Sequence, residues 1–94
     1  MARLAGRIVA LGRVERLWPG STVVCVASGP SLTRADVEYC RGRARVIAIN
    51  TSLHLAPWAD AFYACDGRVW QWHQESIAAF RGLKFAMDRE AAKY

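Results

Sequence analysis

The sequence predicts an α/β fold, a Rossmann-like parallel sheet of three to four strands. Two observations lead to this prediction: short apolar runs alternate along the chain with segments of helical spacing, and polar or glycine-containing loops follow those runs. Such alternation is typical of parallel strands joined by right-handed crossovers. With 94 residues the chain is near the smallest size for a layered fold, so we expect a half or a minimal domain.

Composition narrows the classes of protein to which the chain can belong. Apolar residues make up 53% of it, which is enough for a core and excludes a wholly disordered chain. No apolar run reaches the ~18 residues of a membrane span, so we expect no membrane contact and a cytoplasmic location. The three cysteines lack a C-x-x-C spacing, which indicates neither disulfides nor a metal site. Cys25 and Cys65 are predicted core residues.

Residues 1–19 are predicted to form a basic, helical N-terminal segment. Apolar side chains recur there at steps of three and four residues, the spacing of one helix face. They are Leu4, Ile8, Leu11, Val14 and Trp18. The sequence Trp-Pro-Gly-Ser at positions 18–21 then predicts a turn. Residues 20–86 form the predicted α/β half of the chain, and residues 87–94 form a polar tail.

The first strand and helix of this half have clear signals. Thr22 to Ala27 is a continuous run rich in β-branched residues, which predicts a strand covered on both faces. Thr33 and Asp36 have the spacing of a capping box, so a helix is expected from about Arg34 to Cys40. Gly42, between two arginines, marks its end.

Three further elements complete the predicted sheet. Val46–Ile49 is a second buried strand, Ala61–Cys65 a third, and Leu83–Ala86 a short fourth. A helical turn is predicted after the second strand, and helical spacing runs from Arg68 to Phe80. Because the strands are predicted to be parallel, their carboxyl ends should share one edge of the sheet, where ligands usually bind.

Polar residues follow each of the first three strands. Ser28, Gly29, Pro30 and Ser31 form the first loop, where glycine permits close approach of a ligand and free amides attract an anion. Asn50 ends the second strand and offers amide donors and acceptors for a base, ribose or substrate. Asp66 ends the third and could accept from ribose hydroxyls or hold a divalent ion.

Each of these residues also has a purely structural interpretation. The Ser-Gly-Pro-Ser loop can be a turn with a helix cap, Asn50 a residue that tolerates turn geometry, and Asp66 the cap of the following helix. His73, beside two tryptophans, is either a proton donor in a pocket or a surface residue, and His54 has less support.

A cationic face is the remaining feature. Arginine occupies every second position in the segment Arg41, Arg43 and Arg45. The formal net charge of the whole chain is +5. Most tryptophans, however, lie in a neutral to acidic segment that holds positions 58, 70 and 72. A solvated basic face is therefore favoured over a stacking platform for nucleic acid, and nucleic acid is not an expected partner.

The residues at positions 23–32, followed by Val-Ile-Ala-Ile-Asn at 46–50 and Ala-Asp-Ala-Phe-Tyr-Ala-Cys-Asp at 59–66, resemble a Rossmann-like group found in phage and prophage proteins. The group is similar to a domain-of-unknown-function family that includes a pterin pyrophosphokinase. More distantly, it is similar to bacterial sialyltransferases with a Gly-x-Gly-Pro-Ser-Leu nucleotide loop. The resemblance spans about residues 20–83 and covers the N-terminal half of those proteins.

The resemblance implies a role for particular residues. Ser28, Gly29, Pro30 and Ser31 would contact a cytidine nucleotide such as CMP or CDP, with or without magnesium, and Asn50 would match a strand-end asparagine. Ala27 replaces the first glycine of the loop. The relatives are longer, and no residue here matches the sialyltransferases' catalytic histidine, so the chain resembles the nucleotide-binding half of a transferase.

Two functions are expected from these observations. In the first, the chain binds a nucleotide or nucleotide-sugar phosphate at the loop after the first strand, as part of a group-transfer protein. In the second, it is a non-catalytic phage or prophage module that uses the same fold for protein contact or assembly. An exposed sheet edge would favour a homo-oligomer in either case.

Overall fold

In the computed structural model, residues 2–4, 7–10 and 16–86 are described. The strands in these ranges are β1 (Ala2–Leu4), β2 (Arg7–Ala10), β3 (Val23–Val26), β4 (Arg45–Ile49), β5 (Ala61–Tyr63) and β6 (Leu83–Phe85). The helices are α1 (Arg34–Cys40), a 3-10 helix (Asn50–His54), α2 (Gly67–Trp72) and α3 (Gln74–Ala79). No helix among the described residues is long and apolar enough to cross a membrane.

One sheet contains all of these strands, in the order β2-β1-β6-β5-β4-β3. Strands β3 to β6 are parallel to one another, and β1 pairs antiparallel with both β2 and β6. The predicted fold class, a small α/β domain with four parallel strands, is confirmed. The parallel strands lie side by side in the order in which they occur in the chain, so β3 is an edge strand.

The core lies on one face of this sheet. Buried residues of β3, β4 and β5 pack there against the helices. The largest fully buried side chains of this core are Val46 and Phe62 from the sheet and Val37 and Trp70 from the helices. Successive right-handed crossovers in one direction place every connection on the same side of a sheet. The strand order therefore explains why the helices cover a single face.

The expectation that β3 is covered on both faces is wrong. Val26 is buried, but Val23 and Cys25, whose side chains alternate with it, are exposed. Cys65 is exposed as well, because it follows the end of β5 rather than lying within it. The prediction of core positions for these two cysteines is therefore also wrong, since a β-branched run does not reveal how many faces of the sheet are covered.

Helix α1 has the predicted capping box. The Thr33 hydroxyl accepts from the Asp36 amide at 3.1 Å, and the Asp36 carboxylate accepts from the Thr33 amide at 3.3 Å. After the helix, Gly42 takes a φ of 76°, a conformation that glycine adopts without steric cost. The predicted helical spacing from Arg68 to Phe80 is interrupted at His73, which separates α2 from α3.

The predicted N-terminal helix is wrong over the described part of that segment. Residues 2–4 and 7–10 form two antiparallel strands instead. Glycines weaken a helix here, and pairing of β1 with β6 supplies hydrogen bonds that local spacing does not reveal. The rest of the apolar stripe at positions 11–15 and the predicted tail at 87–94 lie outside the described residues.

Candidate functional site

The carboxyl edge of the parallel strands brings together hydroxyl groups from two loops. The Ser28 side chain, after β3, lies 2.9 Å from the Thr51 hydroxyl and 3.3 Å from the Ser52 hydroxyl, both in the 3-10 helix after β4. Ser52 is 2% exposed, whereas Ser28 and Thr51 face solvent. We call Ser28, Thr51 and Ser52 the hydroxyl cluster.

The loop after β3 is a turn with some free amides. The Leu32 amide donates to the Gly29 carbonyl at 3.1 Å, which closes the turn. The Thr33 amide donates to the Asp36 carboxylate within the capping box. Within residues 16–86, no acceptor pairs with the amides of Gly29 and Ser31. A Cβ added to Gly29 would meet nothing within 4 Å, so this side of the loop is open.

Asn50 has a structural role at this edge. Its φ of 55° is the one positive value at a non-glycine position in the described chain, and asparagine tolerates this left-handed conformation better than most residues. The change of direction starts the 3-10 helix and turns Thr51 and Ser52 toward Ser28. The Asn50 side chain itself is exposed.

Thr51 and Ser52 are the site residues that the sequence prediction did not single out. The polar triplet at positions 50–52 is visible after the second strand, but hydroxyls directly after a strand are common in turns. What distinguishes Ser52 is its burial, because among the described residues it is the one buried polar side chain. Burial of a side chain depends on tertiary packing, so the sequence alone does not reveal it.

Asp66 lies at the same edge of the sheet, but its carboxylate caps helix α2, which follows it. Its carboxylate accepts from the Arg68 amide at 2.9 Å and from the Arg68 guanidinium at 2.7 Å. Hydrogen bonds from the Arg68 side chain, and next from the Arg68 amide, hold the pKa of Asp66 below its ordinary value. No contact with another described residue joins Asp66 to the hydroxyl cluster, and its geometry is that of a helix cap.

The two histidines contact each other beside the 3-10 helix. His54 Nε2 lies 3.3 Å from His73 Nδ1, and the ring centroids are 5.1 Å apart in an edge-to-face arrangement. This contact joins the 3-10 helix to the junction between α2 and α3. His54 is exposed and His73 is half-buried, so the pair lies at the surface of the protein.

The opposite edge of the sheet, where the parallel strands begin, carries an open cleft of about 630 Å³. Its lining residues are Ser21, Thr22, Arg41, Gly42, Arg43, Ala44, Arg45, Trp58 and Asp60. Arg41 and Arg45 contact aromatic rings that are distant in sequence, whereas Arg43 contacts Tyr39 of the preceding helix. The guanidinium of Arg41 lies 5.2 Å from the Trp58 ring centroid, so residues that are far apart along the chain are neighbours in space.

Across the described residues, no cluster of three or more histidine, cysteine or carboxylate side chains could hold a metal ion. Two polar edges of the sheet carry the candidate chemistry: hydroxyls and amides lie where the parallel strands end, and arginines with aromatic rings lie where they begin.

The chain matches no protein-family model, no curated protein and no solved structure.

Proposed function

We propose that the carboxyl edge of the sheet binds the phosphate of a nucleotide or nucleotide sugar, as part of a protein whose chemistry is group transfer. The observation that carries the proposal is the approach of the Ser28 hydroxyl to Thr51 and Ser52 beside the open loop. Hydroxyl groups rotate to suit a ligand. The exposed hydroxyls of Ser28 and Thr51 can donate to phosphate oxygens, and the buried Ser52 hydroxyl holds Ser28 in place. The amides of Gly29 and Ser31 add fixed donors on the same loop.

The number of hydrogen-bond donors limits the affinity of this edge for phosphate. Hydrogen bonds to a charged group contribute about 1.5 to 3 kcal/mol each, whereas association costs at least about 4 kcal/mol. Four such bonds from the loop and the hydroxyl cluster total about 6 to 12 kcal/mol, so at most about 2 to 8 kcal/mol remains for binding phosphate alone, which corresponds to a Kd between tens of millimolar and roughly micromolar. Contacts to the ribose or base, for which the exposed Asn50 amide is suited, account for tighter binding of a whole nucleotide.

The resemblance of the loop sequence to a nucleotide loop supports the choice of a cytidine nucleotide such as CMP or CDP. The proposal concerns binding, and it assigns no residue a catalytic role. Asp66 is not part of the proposed site, because its carboxylate is paired with Arg68. Of the other residues expected from the sequence, the proposed site keeps Ser28, Gly29, Ser31 and Asn50 as ligand contacts and Pro30 as the residue that stiffens the loop.

The test is nucleotide titration followed by thermal unfolding. CMP, CDP, GTP and ATP are added with and without magnesium, and a ligand that binds only the folded chain raises Tm with its concentration. The Gly29→Val/Ser31→Ala variant should abolish the shift, since valine fills the open side of the loop. Ser76→Ala, on α3 and outside the hydroxyl cluster, is the matched control and should keep it. A shift that survives in the loop variant would contradict the proposal.

A second candidate function, a phage or prophage module for protein contact, is favoured by the face of the sheet opposite the helices. Val23 and Cys25 are exposed there, and Ile47 and Ile49 are half-buried. These residues do not belong to the core cluster. This candidate predicts no nucleotide response and a homo-oligomer in solution, which sedimentation velocity measures directly.

A further inference from the structure

The cleft at the amino edge of the sheet is built by residues that precede three parallel strands. Ser21 and Thr22 come before β3, Asp60 before β5, and Arg45 begins β4. A volume of about 630 Å³ is in the range of small-molecule pockets, roughly 300 to 1,000 Å³. The cleft is separate from the hydroxyl cluster, which lies at the other end of the same strands.

Local structure determines where the arginines of the cleft lie. The chain leaves α1 through the turn at Gly42, where the Arg43 amide donates to the Cys40 carbonyl at 3.0 Å. The first residue of β4, Arg45, is tied to the strand before it, because its amide donates to the Thr22 carbonyl at 3.1 Å. Arg41, Arg43 and Arg45 therefore all line one wall.

Each of these arginines lies over an aromatic ring. The distances from guanidinium carbon to ring centroid are 5.2 Å for Arg41 over Trp58, 4.5 Å for Arg43 over Tyr39 and 5.7 Å for Arg45 over Trp18. Contacts in this range are cation–π interactions. The structure thus interleaves cations with rings, an arrangement that the linear sequence conceals.

The positive charge of the wall is only partly neutralised. Arg41 lies 3.7 Å from Glu38, and Arg45 lies 3.2 Å from Asp60. The Asp60 carboxylate also accepts from the Val46 amide at 2.8 Å. Arg43 forms no ion pair with any carboxylate in residues 16–86.

We infer that this cleft binds single-stranded nucleic acid. Phosphates pair with the guanidinium groups, and unstacked bases stack on the exposed rings and guanidinium planes. Trp58 is the aromatic ring that lines the cleft. Tyr39, which is 67% exposed, lies beside the cleft under the guanidinium of Arg43 and offers a second ring. A duplex keeps its bases stacked on one another and cannot use the rings, so the cleft prefers a single strand.

The experiment measures the fluorescence anisotropy of labelled dT12 and rU12 with the full chain between 50 and 300 mM salt. Two to three neutralised phosphates predict a slope of log K against log salt of about −1.4 to −2.1. Arg43→Ala should weaken binding at least fivefold. Tyr39→Ala should do the same at unchanged net charge, because each stacked base is worth a factor of at least about five. Both side chains are exposed, so neither variant threatens the fold.

The matched control is Arg34→Ala, which removes one exposed charge near the opposite edge of the sheet and should change affinity less than twofold. Equal weakening by Arg34→Ala and Arg43→Ala would show that net charge alone binds the strand, and it would overturn the inference. So would an unchanged affinity in Tyr39→Ala, equal affinity for a duplex of the same length, or equal affinity for poly-glutamate. The Gly29→Val/Ser31→Ala variant should bind the oligonucleotides normally, which separates this inference from the proposed phosphate site.

Discussion

Among Gly20, Gly29, Gly42 and Gly82, Gly82 is the glycine whose replacement should destabilise the fold most. An alanine Cβ at this position would lie 2.5 Å from the Asp60 carbonyl oxygen and 2.8 Å from that of Ala59. The backbone would have to retreat by about 0.9 Å to reach an ordinary contact of 3.4 Å. That movement would break the hydrogen bond from the Leu83 amide to the Asp60 carbonyl, now 3.0 Å long, and would loosen β6 from its place beside β5.

The size of the effect follows from three contributions. Overpacking costs about 1 to 3 kcal/mol, a lost hydrogen bond about 1 kcal/mol, and alanine gains back about 0.4 to 1 kcal/mol by restricting the unfolded chain. The net loss for Gly82→Ala is about 2 kcal/mol, which lowers Tm by about 8 to 16 °C in a domain of this size.

The assay is urea unfolding followed by tryptophan fluorescence, with Gly29→Ala as the matched control. The same substitution at Gly29 meets nothing within 4 Å, and its effect on stability should stay within about 0.5 kcal/mol. Equal stability of the two variants would refute the close approach of Gly82 to the Ala59–Asp60 backbone. A stabilised Gly82→Ala protein would refute it more strongly.

Two further predictions concern helix caps. Thr33→Ala removes the hydroxyl that accepts from the Asp36 amide and should cost about 1 kcal/mol; unchanged urea unfolding would contradict the observed cap. Asp66→Asn keeps a capping side chain but loses the charge that Arg68 stabilises. Because the pKa of Asp66 is lowered in the folded chain, its carboxylate contributes stability above the unfolded value of ~3.9, and this is lost as pH falls through the folded pKa. The stability difference between wild type and Asp66→Asn should therefore be present at pH 6 and shrink toward pH 2; a difference independent of pH would contradict it.

Much of the parallel part of the fold could be predicted because its signals are local. The capping box at Thr33 is defined by two residues three positions apart, and the strand at 46–49 by an unbroken apolar run. The N-terminal segment could not be predicted in this way, since its strands are stabilised by pairing β1 with β6 at the far end of the chain. The helical spacing that begins at Leu4 is a local pattern, and over residues 2–4 and 7–10 the long-range pairing overrides it.

The candidate sites show the same limit. The loop at 28–31 is evident from glycine and proline after a strand, but the neighbours of Ser28 depend on how β3 and β4 pair. The cation–aromatic contacts of the cleft could not be predicted in full, because Arg41 and Trp58 are far apart in sequence and meet only in the folded chain. Alternation of charge with aromatic rings can be recognised along a chain only when both lie in the same segment.

The parallel strands lie side by side in chain order, and this has a consequence for folding kinetics. Each strand from β4 to β6 can dock on the strand that precedes it in the chain. Each docking event therefore closes only a short loop, and its entropic cost is small. The β1–β2 hairpin, in contrast, joins the sheet through β6 and must wait until that strand is in place. We therefore expect its attachment to be the last step of assembly and fraying to begin there when the sheet opens.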